Sequence, residues 1–157
     1  MADPTFIRIM EQVRERLQGI STDNGYKTDI GSVPQLVGVD VIDITQMPEG
    51  AIVVEPGTVT FETEGGVRAS TSPMEVRPSR EVIITAAVSL EDKTKWLVKS
   101  EELAGDIRMA MAVDQNDWRA VSVTSITQAS QDAGWPESGT AALLVRMTFN
   151  ITYIERG

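Results

Sequence analysis

The stretch Ala141-Ala142-Leu143-Leu144-Val145-Arg146-Met147-Thr148-Phe149-Asn150-Ile151-Thr152-Tyr153-Ile154 decides the fold class. Successive side chains of an extended chain point to opposite sides. Val145, Met147, Phe149, Ile151 and Tyr153 therefore share one face, and Leu144, Arg146, Thr148, Asn150 and Thr152 share the other. Alternation sustained this long predicts a strand inside a sheet, with one apolar face that other elements must cover.

The rest of the chain supplies partners for that strand. Val82, Ile84, Ala86, Val88 and Leu90 alternate in the same way, and Ile83 and Ala87 suggest that the second face is partly covered. The run 51–55 reads as a short buried strand ended by Pro56-Gly57. Asn24-Gly25 marks a turn, after which 26–30 reads as a short strand. Trp118 to Thr127 has β character through Val121 and Val123. Residues 58–63 and 67–71 flank Glu64-Gly65-Gly66, a hairpin signature. That hairpin has only Val59, Phe61 and Val67 as substantial apolar groups, so it projects from the body or forms a sheet edge. Residues 32–50, 72–80 and 128–140 read as loops.

Two segments carry helical periodicity. Asp3-Pro4 is a start signal, Phe6, Ile9, Met10, Val13 and Leu17 form an apolar stripe, and Gly19 is a stop. A second helix lies within 92–114, with Leu103, Ile107 and Met111 four apart. Gly105 weakens it by about 1 kcal/mol relative to alanine. Helices and strands are segregated more than alternated. The expected fold is α+β: a mainly antiparallel sheet with two principal helices packed on one face and a projecting polar β-hairpin. No repeat and no linker composition interrupts 1–157, which reads as one domain.

Composition narrows the function classes. The 157 residues are 41% hydrophobic, enough for a real core, and only 5% aromatic, so that core is aliphatic. Fourteen basic against 23 acidic residues give a net charge of -9, which a phosphate backbone repels. There is no cysteine and no histidine, which removes thiolate chemistry and the usual general base and metal ligand. The acidic, then amphipathic first residues do not read as a secretory signal, and the longest apolar run, 141–145, is too short to span a bilayer. The expectation is a soluble cytosolic protein.

The remaining motifs have structural readings. The acid pairs Glu91-Asp92 and Glu101-Glu102 stand near the start of the second helix, where they suit its dipole. Asp114-Gln115-Asn116-Asp117 opens like a calcium loop, but Trp118 and Arg119 stand where a ligand and glycine belong, so it reads as a helix exit and turn. Gly65-Gly66 lacks any phosphate-binding frame, and Asn150-Ile151-Thr152 is a sequon inside a strand. The sequence thus offers no catalytic residue, no metal site and no cofactor site. Its candidates are for contact: Phe61 and Glu64 on the hairpin, the Arg77-Pro78-Ser79-Arg80 patch with Arg77 and Arg80, and Trp135 beside Pro136.

The order of these pieces resembles that of the tail terminator, or tail completion, proteins of long-tailed bacteriophages. The resemblance is carried by Arg16-Leu17-Gln18-Gly19-Ile20, by Asn24-Gly25-Tyr26-Lys27-Thr28-Asp29-Ile30-Gly31 and by Pro48-Glu49-Gly50-Ala51-Ile52-Val53-Val54. It continues through the strand at Val82, Glu102-Leu103-Ala104-Gly105-Asp106-Ile107 and the final strand. The resemblance implies a structural subunit of a homo-oligomeric, hexameric ring that caps the completed tail tube. Its implied partners are the tail tube protein and head–tail connector proteins. DNA would pass through the ring without specific binding, no membrane would be involved, and the location would be the head-proximal end of the virion tail. Another connector or minor tail protein is the alternative within the virion. From a different class, a small carboxylate-dependent hydrolase would require two converging acids in a deep pocket.

Overall fold

The computed structural model describes residues 4–33, 35–37, 51–61, 75–89, 93–112, 115–134 and 142–156. The elements in chain order are α1 (Thr5–Gln18), β1 (Gln35–Val37), β2 (Ala51–Phe61), β3 (Glu75–Val76), β4 (Pro78–Ser89), α2 (Trp96–Ala112), α3 (Gln115–Ala120), β5 (Val123–Gly134), β6 (Ala142–Tyr153) and β7 (Glu155–Arg156). Five strands form one sheet in the order β1-β2-β4-β6-β5, and β3 pairs with β7. The β1–β2 pair is parallel and the other pairs are antiparallel. The fold is α+β.

The alternating stretch at the end of the sequence becomes β6, paired with β4 on one side and β5 on the other. Val145, Met147, Phe149, Ile151 and Tyr153 are all buried. They join Val82, Ile84 and Ala86 of β4 and Ile52 and Val54 of β2 in one core. The covering layer is α1 and α2. The α1 side chains Phe6, Ile9, Met10, Val13 and Leu17 are the ones buried, as their spacing requires. From α2, Leu103, Ala104, Ile107, Ala110 and Met111 enter the same core. Each such aliphatic side chain stabilises the fold by roughly 1.5–3 kcal/mol when fully buried. The opposite sheet face holds a small second cluster, Ala51, Val53 and Ala87, with Leu144 packed on it.

Several expectations are corrected. The segment 26–30 is not a strand: the Lys27 and Thr28 N–H groups donate to the Asp106 carboxylate of α2 at 3.0 and 2.8 Å, and the Thr28 hydroxyl donates to it at 2.7 Å. A side chain satisfies these donors, so no neighbouring strand is needed. Pro56-Gly57 does not end a strand either. β2 continues to Phe61 through an irregularity between Pro56 and Val59. Gly57 sits so close to Glu81 that a Cβ would lie 2.7 Å from the Glu81 Cβ. Among the described residues β1 flanks only Ile52–Val54, so the missing Pro56 donor lies beyond that ladder.

Only the start of the predicted hairpin lies among the described residues. Residues 58–61 belong to β2 and face β4, with Val59 opposite Arg80 and Phe61 opposite Pro78. The segment read as a loop at 72–80 includes β3 and the start of β4. Glu64-Gly65-Gly66 and 67–71 lie outside the described residues, as do Asp3, Leu90 and the pair Glu91-Asp92. Finally, Trp118 is helical. It lies in α3, and its indole N–H donates to the Met111 carbonyl at 3.0 Å, closing the end of α2. β5 then runs through 128–134, which had read as a loop because it is polar; it is a sheet edge with two register irregularities.

The Asn24-Gly25 turn stands as expected. Gly25 has φ +89, and Asn24 Nδ2 donates to the Gly19 carbonyl at 2.9 Å. Gly31 then lies against the last carbonyls of α1, where a Cβ would meet Gln18 O at 2.6 Å. The segment 24–31 is thus a clamp joining the end of α1 to the middle of α2.

Candidate functional site

At one end of the sheet, the first turns of α1 meet the C-terminal part of β2, the start of β4 and the end of β6. The Arg80 guanidinium lies over the Phe6 ring, with Cζ 3.8 Å from the centroid. Phe6 and Tyr153 are 6.0 Å apart between centroids. Cation–π geometry of this kind holds the arginine flat against the aromatic pair. Arg80 Nε is buried without a hydrogen-bond partner among the described residues. Burial raises the Tyr153 hydroxyl above its ordinary pKa, while its hydrogen bond with Arg80 works in the opposite sense.

In front of this stack lies a groove of about 800 Å³. Its wall on the helix side is Ile7 and Met10, and its wall on the strand side is Pro56, Val59 and Pro78. Glu11 and Arg14 of α1 and Glu155 of β7 form the charged rim. Ile7 is 49% exposed, although it is a large aliphatic residue. A smaller hollow of about 500 Å³ on the other side of the first α1 turn is polar, with Arg8 and Arg119 among hydroxyl groups.

A second apolar surface lies on α2. Trp96, Leu97, Val98 and Met109 are exposed, Leu97 by 57% and Val98 by 61%. Val98, Gly105 and Met109 follow one another at seven and four residues, so they form a single outward line. A Cβ built at Gly105 meets nothing within 4 Å. The same outer side carries exposed Glu101 and Arg108, and Arg108 donates to the Gln128 and Gln131 side chains of β5, so this surface mixes apolar and charged groups.

The exposed α2 residues run the length of the helix, with Leu97 and Val98 at its start and Met109 near its other end. β4 runs from Arg80, in the groove, to Ser89, and α2 starts seven residues later. The far end of α2 returns to the groove end through Trp118 and Val123, which pairs with Tyr153. Seventeen residues make α2 about 25 Å long.

Of the sequence candidates, Arg80 is in the groove. Arg77 is exposed between β3 and β4, three residues away. Phe61 joins the same β2–β4 ladder by its backbone. Glu64 and Trp135 lie outside the described residues. Phe6, Ile7, Val59 and Tyr153, and the Leu97–Val98–Met109 surface, were not foreseen. The available signal was an apolar residue off the core stripe: Ile7 beside the 6, 9, 10, 13, 17 series, and Met109 beside Leu103, Ile107 and Met111.

Two carboxylates, Glu11 and Glu155, stand on the groove rim with Arg14. Elsewhere, the buried Asp106 accepts hydrogen bonds from Lys27 and Thr28, and Glu101 is exposed. Among the described residues no group of three or more Asp, Glu, His or Cys side chains is placed to hold a metal ion. Among them, too, no helix is long and apolar enough to cross a membrane. Comparison with known protein families and with curated proteins finds no match to this chain.

Proposed function

We propose that this chain is a ring-forming structural subunit that terminates a phage tail tube and offers the surface that joins it to the head. The observation that carries the reading is the pair of unlike surfaces with exposed apolar residues, Ile7 with its groove and Leu97–Val98 on α2. Two different patches on one chain make a head-to-tail contact, and repeated head-to-tail contacts generate a closed ring when the rotation closes. The order of sequence segments that resembles the tail terminators supports the same reading, and so does an α+β body with both principal helices on one sheet face.

In this reading the chain is not an enzyme. Its partners are further copies of itself, the tail tube protein and a connector on the head side, and its place is the head-proximal end of the tail. A net charge of -9 suits a subunit past which DNA slides without adhering.

The test is mass in solution across a range of concentrations, compared with mass on assembled tail tubes. A single closed stoichiometry, visible as rings at tube ends, is the expected result. A chain that remains monomeric alone and on tubes overturns the reading. Rings that bind a portal-type connector but not the tube would move the assignment to another connector protein.

A further inference from the structure

We propose that Asn24 is a deamidation site gated by the turn that holds it, and that its conversion to aspartate unlatches the end of α1 from α2. The asparagines of the chain are Asn24, Asn116 and Asn150, and only Asn24 precedes a glycine. A side chain on the following residue slows ring closure on an asparagine, and Gly25 has none. Both residues are exposed, and a Cβ built at Gly25 would meet nothing within 4 Å, so water and hydroxide reach the peptide.

The chemistry needs only water. Hydroxide takes the proton from the Gly25 backbone nitrogen, which attacks the side-chain carbonyl carbon of Asn24, Cγ. The N–Cγ bond forms, the Cγ–Nδ2 bond breaks, and Nδ2 takes a proton from water and leaves as ammonia. The product is a cyclic imide. Water then opens either of its two carbonyls. One opening gives aspartate on the original backbone; the other gives isoaspartate, whose backbone runs through the side chain. No atom is oxidised or reduced.

The fold holds this reaction back. Asn24 is the last residue of the 3₁₀ turn Thr22–Asn24. The Gly25 N–H, whose proton must leave, donates to the Thr22 carbonyl at 3.2 Å. The leaving nitrogen, Asn24 Nδ2, donates to the Gly19 carbonyl at 2.9 Å. Asp29 pins the start of the same turn, since its carboxylate accepts from the Thr22 N–H and hydroxyl at 2.8 and 3.0 Å. The imide closes only after Asn24 swings off Gly19 and the turn opens, so the rate follows the open population.

Conversion then removes what the turn is built on. The Gly19 carbonyl is at the end of α1, where carbonyls have no partner within the helix, and Nδ2 supplies one. An ionised carboxylate has no proton to donate to it. It also puts a negative charge at the negative end of the α1 dipole, in a segment that already carries Asp23 and Asp29. The next residues along, Lys27 and Thr28, are the ones that hold Asp106 of α2, so loosening the turn loosens that contact.

To test the gating, the full chain is aged at mildly alkaline pH, folded in buffer or unfolded in concentrated urea, and digested for peptide mass mapping. The mass change of NH2 replaced by OH marks a converted residue. In urea, Asn24 should convert ahead of Asn116 and Asn150. In the folded chain it should convert about tenfold or more slowly than in urea, the scale of a local opening. Asp29→Ala should speed conversion in the folded chain and leave the rate in urea unchanged. Equal rates in folded and unfolded parent overturn the gating, and so does a folded Asp29→Ala chain that converts no faster than the parent.

To test the consequence, hydrogen exchange at the Lys27 and Thr28 amides is compared in the parent, Asn24→Ala and Asn24→Asp. Exchange should be slowest in the parent, faster in Asn24→Ala, which only loses the donor, and fastest in Asn24→Asp, which adds the charge. Parental protection of both amides in Asn24→Asp overturns the unlatching. Should Asn24→Asp not fold, Asn24→Ala decides alone, and parental protection there overturns it.

Discussion

Asp106 is the residue on which the two halves of the helical layer depend. It is 4% exposed and accepts three hydrogen bonds from Lys27 and Thr28. Replacing it by alanine leaves donors that lose their partner in a partly dry site. An unsatisfied buried donor costs about 1–3 kcal/mol, so Asp106→Ala should lower unfolding free energy by about 2–4 kcal/mol in urea titration. Glu102→Gln, four residues earlier on the same helix, should shift it by less than about 0.5 kcal/mol. Equal effects at the two positions would contradict the clamp. Asp29 offers a pH-dependent counterpart. The Thr22 N–H and hydroxyl donate to its carboxylate at 2.8 and 3.0 Å and hold its pKa below the ordinary value. A carboxyl whose folded pKa is depressed contributes stability above its unfolded pKa, near 3.9, and loses it as pH falls through the folded value. Asp29→Asn should therefore flatten part of the fall in melting temperature below about pH 4 and leave the slope above pH 5 unchanged. An identical acid profile for the variant would exclude this role.

At the scale of elements, legibility followed the number of faces that each segment buries. β6 and α1 each bury one face, so their periodicities of two and about 3.6 were written plainly in Val145 to Tyr153 and in Phe6 to Leu17. β5 could not be read beyond Gln128, because an edge strand with Ser, Thr and Gln side chains has no apolar alternation to display. Pro56-Gly57 looked like a stop because strand proline is ordinarily one; among the described residues no second strand flanks it there, which makes it tolerable. The Asn24-Gly25 turn was legible, but 26–30 read as a strand and not as a binding partner of Asp106, since its contacts lie nearly eighty residues away. Gly105 gives the test at this scale. It stands inside α2 with open space around a would-be Cβ. Gly105→Ala should stabilise the isolated chain by about 0.5–1 kcal/mol, seen as a raised melting temperature. Destabilisation would mean that its backbone is approached closely within the same chain.

At the scale of the whole molecule, the contact surfaces were less legible than the core. A core residue declares itself by periodicity, whereas Leu97, Val98 and Ile7 are merely apolar residues off the pattern, and such residues are common on any surface. Arg80 was foreseen for its charge, yet what places it is the Phe6 ring beneath it, some seventy residues earlier in the chain. The proposed assembly sets two terms against each other. Apolar burial between copies is insensitive to moderate salt. Repulsion between copies carrying -9 each acts over tens of ångströms and is screened by it. The Debye length falls from about 30 Å at 0.01 M to about 8 Å at 0.15 M ionic strength, so this long-range repulsion fades over that range while apolar burial persists. Raising sodium chloride through this range should therefore lower the concentration at half-assembly, measured by sedimentation velocity. If assembly weakens with salt instead, charge pairing across the contact outweighs the repulsion and apolar burial is not its main driving force.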